Sequence, residues 1–191
     1  MPDITKIESI RMISDGYYGD SIDAKENTEI VLKTLDVHKA IVKKGNKLKY
    51  DDYINKYRVY FTYYLNDGRK IERTYYLSQN DADILSKIYD KKFIDFKYPE
   101  KDIESVYVNY VPTEWKDYVQ ELKLEGKEKT EFINIFKNEL AENYMDIIFD
   151  ENKYEKERYE INFTIEPKGA YMSFEVNDKT PKSFNYLEEK Y

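Results

Sequence analysis

The 191-residue sequence predicts an α+β fold: two related strand-helix-hairpin-helix units, with antiparallel sheets each packed by a long helix. Three observations predict it. Residues 57–77 alternate with period two on either side of Asn66-Asp67-Gly68, where a short hairpin loop needs a glycine able to take φ > 0. Val31, Thr34, Leu35, His38 and Val42 recur at helical spacing. Both patterns then return, in the same order, in the second half of the chain.

The elements follow in turn. Residues 4–13 alternate loosely through Ile7, Ser9 and Met12 and read as a strand. Residues 14–21 form a turn-rich loop carrying Tyr17 and Tyr18. Asp23 starts a helix, with Glu26 three residues on as a capping box, and Lys43-Lys44-Gly45 ends it. After a polar linker over residues 46–55 comes the hairpin. One face carries Tyr57, Val59, Phe61, Tyr63 and Leu65, then Ile71, Arg73, Tyr75 and Leu77; the other carries Tyr60, Tyr64 and Tyr76. Ser78 begins a short helix with Asp81 and Asp83 in its first turn and an apolar stripe of Ile84, Leu85, Ile88 and Tyr89.

Lys97-Tyr98-Pro99-Glu100 marks a boundary, giving a first unit over residues 1–99 and a second over 100–191, expected to pack as one body. Residues 103–111 are strand-like and stop at Pro112; residues 113–126 fit either a short helix or a strand. Residues 127–148 are a helix with Ile133, Phe136, Leu140, Tyr144 and Ile147 on one side. Residues 159–166 and 170–176 are strands around Pro167-Lys168-Gly169, and residues 180–191 begin a final helix.

The halves echo each other residue by residue. Ile7-Glu8-Ser9 returns as Ile103-Glu104-Ser105. Lys25-Glu26-x-Thr28-Glu29 returns 102 residues later as Lys127-Glu128-x-Thr130-Glu131, and Tyr57-x-Val59-x-Phe61-Thr62 returns at the same spacing as Tyr159-x-Ile161-x-Phe163-Thr164. Leu85 and Tyr89 pair with Leu187 and Tyr191. This is the pattern of an internal duplication. A helix laid across a short sheet leaves the other sheet face uncovered, so the two units are expected to shield one another.

Composition removes several function classes. Hydrophobic residues make up 41% and charged residues 36%, the balance of a globular chain with a real core. The mean hydropathy of -0.84 understates that core, because 21 Tyr score as polar while burying large rings. Residues 1–99 carry 18 Lys and Arg against 16 Asp and Glu, and residues 100–191 carry 13 against 22; no nucleic-acid partner is expected for a half so acidic. With no cysteine, disulfides, thiol catalysis and zinc–cysteine sites are excluded. No apolar run approaches the ~18–20 residues of a membrane span, and Met1-Pro2-Asp3 does not open a signal peptide.

No catalytic motif stands out, so the chain is expected not to be an enzyme and to need no cofactor and no metal. His38 reads as a helix-core or helix-edge residue, and Leu140 occupies its position in the repeat; on that reading His38→Leu leaves folding largely intact. Asp15, Asp20 and Asp23 lack the ligand spacing of a calcium loop, so Asp23 is expected to cap the helix instead. The remaining lead is aromatic. Tyr17, Tyr18, Tyr60, Tyr64 and Tyr76 form a candidate binding surface, against the alternative that the tyrosine face is buried between the units.

One resemblance bears on function. The helix segment with Leu35, His38, Lys39 and Ile41, followed by Tyr64, Leu65, Asp67, Gly68, Arg69, Arg73 and Tyr75 in the hairpin, resembles a domain of uncharacterised function attached to ABC-2-type transporter permeases of low-GC Gram-positive bacteria. The closing Asn185-Tyr186-Leu187-Glu188-Glu189-Lys190-Tyr191 is similar to the start of that family's C-terminal helix. Val37 stands where the pattern favours Leu, and permease segments are absent. The resemblance implies an excised, non-enzymatic domain on the extracytoplasmic face of the cell membrane. It would contact transporter subunits or an envelope ligand, and meet the membrane only through a segment outside this chain. The alternative expectation is a freestanding cytoplasmic protein-interaction or immunity-type protein.

Overall fold

The structure, a computed structural model, describes residues 1–14, 21–44, 57–77, 83–112, 121–148, 156–165 and 170–190. The expected α+β class holds: among the described residues eight strands form two four-stranded antiparallel sheets, each packed by helices, in two similar units. The compact units are Met1–Ile88 and Tyr89–Tyr191, so they divide before the boundary expected at Tyr98-Pro99. The reason is a helix missed in the sequence, α3 (Lys91–Lys97). Asp90 caps it by accepting from Phe93 N at 3.0 Å, and it packs on the long helix of the second unit.

In the first unit the chain opens with a 3-10 turn (Ile4–Lys6) in place of the expected strand start. Asp3 accepts from Thr5 N at 3.0 Å, and this local bond outcompetes extension. Strand β1 is Ile7–Ser14, and a two-residue strand β2 (Ile22–Asp23) pairs with it. Asp23 therefore ends a strand and then caps a turn, its Oδ1 accepting from Lys25 N at 2.8 Å and Glu26 N at 3.0 Å. Helix α1 (Thr28–Lys44) follows and buries Val31, Thr34, Leu35, His38 and Ile41. Val42, expected in that stripe, is 49% exposed because Ile41 takes the core-facing position.

Strands β3 (Tyr57–Leu65) and β4 (Lys70–Leu77) form the expected hairpin. Gly68 sits at φ 80° and donates to Leu65 O at 2.9 Å, while Leu65 N donates to Arg69 O at 2.9 Å, closing a three-residue loop. Val59, Phe61, Tyr63 and Leu65 are buried; Arg73 shares their face but is exposed, since β4 lies at the sheet edge in the order β2-β1-β3-β4. Helix α2 (Asp83–Ser86) and the residues after it bury Ile84, Leu85, Ile88 and Tyr89 as expected. Its expected start over Ser78 and Asp81 lies outside the described residues.

The second unit repeats the plan with β5 (Ile103–Val111), β6 (Leu122–Leu124), α4 (Gly126–Ile148), β7 (Arg158–Ile165), β8 (Ala170–Val176) and α5 (Pro181–Glu188). Of the segment left open between helix and strand, residues 113–120 lie outside the described residues and Leu122–Leu124 is strand. Ile133, Phe136, Leu140, Tyr144 and Ile147 are all buried on α4, matching the expected stripe. Phe136 packs edge-on to Phe163 and Phe174, with centroids 5.8 and 5.2 Å away.

Strand register refines the repeat. Both first strands carry an irregularity at the same place, between Ile7 and Ser9 and between Ile103 and Ser105. Ile7 lies opposite Leu65, and Ile103 opposite Ile165. These pairings equate Tyr63 with Phe163 and Phe61 with Ile161, a spacing of 100 residues in place of the 102 read from the sequence. The short strands before the helices keep 102, since Ile10 faces Ile22 as Val106 faces Leu124, and the buried positions Ile30, Val31, Leu35 and His38 of α1 match Phe132, Ile133, Lys137 and Leu140 of α4 at that same spacing. A slip of two residues leaves every side chain on its own sheet face, so the alternation alone could not reveal it.

Candidate functional site

Two groups of side chains in the first unit invite a functional reading, one on each face of its sheet. On the helix-covered face, α1 presents His38, and it is 2% exposed. Its ring stacks on Phe61 at 4.4 Å and 11°. The Nδ1 atom is hydrogen-bonded to the Tyr63 hydroxyl, and Nε2 to the Tyr75 hydroxyl at 2.7 Å. Burial, with the Met1 ammonium and the Arg73 guanidinium acting in the same direction, lowers the imidazole to about 4, so it is neutral near pH 7. Burial also pushes the Tyr63 hydroxyl well above its ordinary range, with Tyr75 adding to the shift and Arg73 opposing it. Tyr75, half-buried, is raised for the same first reason.

The core placement of His38 was legible from its helical spacing. Its two tyrosine partners, on strands 25 and 37 residues away, were not. The signal available was that Phe61, Tyr63 and Tyr75 share one face. The bonds also change the expectation for His38→Leu, because leucine leaves the Tyr63 hydroxyl without its acceptor.

The second unit lacks this cluster. The matching buried positions of the two helices place Leu140 at His38; strand register places Phe163 at Tyr63 and, because Tyr159 pairs with Val176 as Val59 pairs with Tyr75, Val176 at Tyr75. Its own polar device lies elsewhere on α4. Glu139, 2% exposed, accepts from Lys182 N at 2.7 Å and from Ser183 N and Oγ at 2.9 and 2.5 Å, serving as the N-terminal cap of α5. Buried Lys137 pairs with Asp95 at 2.5 Å. Burial alone would raise the Asp95 carboxyl, but Lys137 and Lys91 outweigh it and hold it below the usual range.

On the opposite face of the first sheet lie Tyr60, Tyr64 and Tyr76, all half-buried. Tyr76 is opposite Arg58, Tyr60 opposite Thr74, and Tyr64 opposite Lys70. Tyr60 and Tyr76 are thus diagonal neighbours, and the Arg58 guanidinium stands over Tyr60 at 5.0 Å from its centroid. Tyr64, four residues along the same strand, is roughly 13 Å from Tyr60 at the usual strand rise. The face therefore brings two of the candidate tyrosines together with an arginine and keeps the third apart. Tyr17 and Tyr18 lie outside the described residues, as do Asp15 and Asp20 of the acidic loop. At the register positions of Tyr60 and Tyr64 the second unit carries Glu160 and Thr164.

Among the described residues, no group of three or more His, Cys, Asp or Glu side chains is placed to hold a metal ion. No helix among them is long and apolar enough to cross a membrane. No protein-family model, curated protein or solved structure matches the chain.

Proposed function

We propose that the chain is a non-enzymatic binding module whose recognition surface is the Tyr60–Tyr76–Arg58 face of the first unit. The observation that carries this reading is the difference between two copies of one fold. The helix-covered faces of both sheets are built for packing; on the opposite face an arginine stands at the same register position in both copies, but Arg58 lies over Tyr60 in the first, whereas Arg158 is ion-paired with Glu160 in the second and Thr164 stands where the first has Tyr64. Tyrosine and arginine are the residue types that most often dominate binding energy at protein interfaces. His38, with both ring nitrogens engaged by hydroxyls, serves the core.

From the resemblance of the helix and hairpin motifs to the soluble domain of ABC-2-type permeases we infer that this module works on the extracytoplasmic face of the membrane. There it would contact transporter subunits or an envelope ligand. Protease treatment of intact cells tests the placement: degradation of this domain while a cytosolic marker survives is the expected result. Survival of the domain with the marker would favour the alternative, a freestanding cytoplasmic interaction or immunity-type protein. The surface itself is tested by Tyr60→Ala and Tyr76→Ala, expected to cost less than ~1 kcal/mol in stability. A larger loss would assign those rings to the core.

A further inference from the structure

We propose that the Tyr63–His38–Tyr75 relay is an acid-sensitive latch holding helix α1 on the first sheet, and that the second unit has no counterpart to it. The direction of each hydrogen bond follows from burial. A neutral imidazole offers one donor and one acceptor. Tyr63 is fully buried, and among the described residues its hydroxyl bonds only to His38 Nδ1. A buried hydroxyl whose proton has no acceptor is costly, so Tyr63 donates to Nδ1 and the ring proton sits on Nε2. Nε2–H then donates to Tyr75, which is half-buried and can turn its own proton outward. The reverse arrangement would leave the Tyr63 proton stranded in the core.

Uptake of a second proton at Nδ1 breaks this chain at its buried end. The ring becomes a donor at both nitrogens, Tyr63 must turn from donor to acceptor, and its own proton loses its acceptor. The groups facing the ring from the elements packed on it oppose the new charge or leave it uncompensated. Strand β3 gives Phe61 and Tyr63, and β4 gives Tyr75 and the Arg73 guanidinium; the Met1 ammonium adds repulsion. On α1 itself the neighbouring buried polar group, Thr34, already donates to Ile30 O at 2.8 Å. In the second unit Leu140, Phe163 and Val176 stand at these positions, so acid finds nothing equivalent to protonate there.

His38 is the only histidine, so nitrogen-15 NMR on the full chain reads this ring alone. At pH 7 the expected spectrum is that of the Nε2–H tautomer; the Nδ1–H tautomer would overturn the assignment. Two variants move the ring's proton affinity in opposite directions. Tyr63→Phe removes the hydroxyl whose proton has an acceptor only while the ring is neutral, and raises affinity about tenfold. Tyr75→Phe removes a bond that strengthens on protonation and lowers affinity about tenfold. Shifts of the same sign in both variants would refute the relay. Amide exchange on the unmodified chain separates latch from ordinary core residue. Protection factors in α1 and β3 should fall below pH 5 while those in α4 and β7 persist, and parallel loss in both units would overturn the proposal.

Discussion

The two sheets share strand order, the same irregularity in the first strand and a helix laid across one face, yet they fill that face with different chemistry. In the first unit the helix meets the sheet through an imidazole between two hydroxyls. In the second it meets the sheet through Phe136, Phe163 and Phe174, and the polar work moves to the flank, where Glu139 caps α5. Two similar frameworks tolerate this difference because backbone pairing sets the architecture, while each core need only be filled and satisfied. The polar solution carries a condition that the apolar one does not: its hydrogen-bond pattern works in one protonation state.

Substitutions at matched positions sharpen the contrast. Phe136 and Thr34 occupy equivalent helix positions at the 102-residue spacing. Phe136→Ala should cost about 3–5 kcal/mol through the cavity it leaves, and Thr34→Ala about 1 kcal/mol or less. Urea denaturation followed by exchange in each unit reads both, and equal losses would break the claim that the second core is the aromatic one. Next comes Glu139→Ala, which strands the Lys182 and Ser183 backbone donors and should cost about 2–4 kcal/mol, melting α5 before the rest of its unit. Circular dichroism with exchange in α5 checks it, and rescue by Glu139→Gln should be partial.

Between pH 6.5 and 4 acid should act on the first unit through His38, while Asp95 of the second unit, held below its usual range by Lys137 and Lys91, gives up its contribution only at lower pH. His38 falls from its ordinary 6.5 to about 4 in the folded chain, so between those values the unfolded chain binds the extra proton. The imidazole contribution is therefore complete above pH 6.5 and is lost as pH drops toward 4. Each tenfold difference in proton affinity is worth ~1.4 kcal/mol, so the loss is a few kcal/mol at most. Denaturation midpoints measured from pH 7 to pH 4 should fall in the unmodified chain beyond the fall seen in the His38→Leu, Tyr63→Phe double variant.

At neutral pH, His38→Leu alone should cost about 1–3 kcal/mol by orphaning the Tyr63 hydroxyl, and adding Tyr63→Phe should recover most of it. Failure of that rescue would mean the imidazole contributes chiefly through stacking on Phe61. The smallest effect belongs to the opposite face: Tyr64→Ala should change stability by less than ~1 kcal/mol and disturb binding less than Tyr60→Ala, because it stands away from Arg58.

The periodic features were legible in the chain. Alternation over residues 57–65 assigned Val59, Phe61 and Tyr63 to the core, and helical spacing assigned His38, Phe136 and Leu140. Asn66-Asp67-Gly68 specified the turn through the one residue able to take φ 80°. Where periodicity fell silent, the reading missed. Strand β2 has two residues and helix α3 seven, too short for a period to declare itself. The candidate surface was legible as a face but not as a cluster, since which tyrosine stands near Arg58 depends on cross-strand pairing.

By itself the sequence determined the α+β class, its two similar units and the face on which each hairpin residue lies, because these follow from local spacing that every peptide carries along its own length. Only the tertiary structure decided the strand register, the tyrosine partners of His38, the Glu139 cap on α5 and the point where the two units divide. Those depend on groups distant in sequence meeting at hydrogen-bond distance, and a shift of two residues that preserves every face is invisible until the strands are paired.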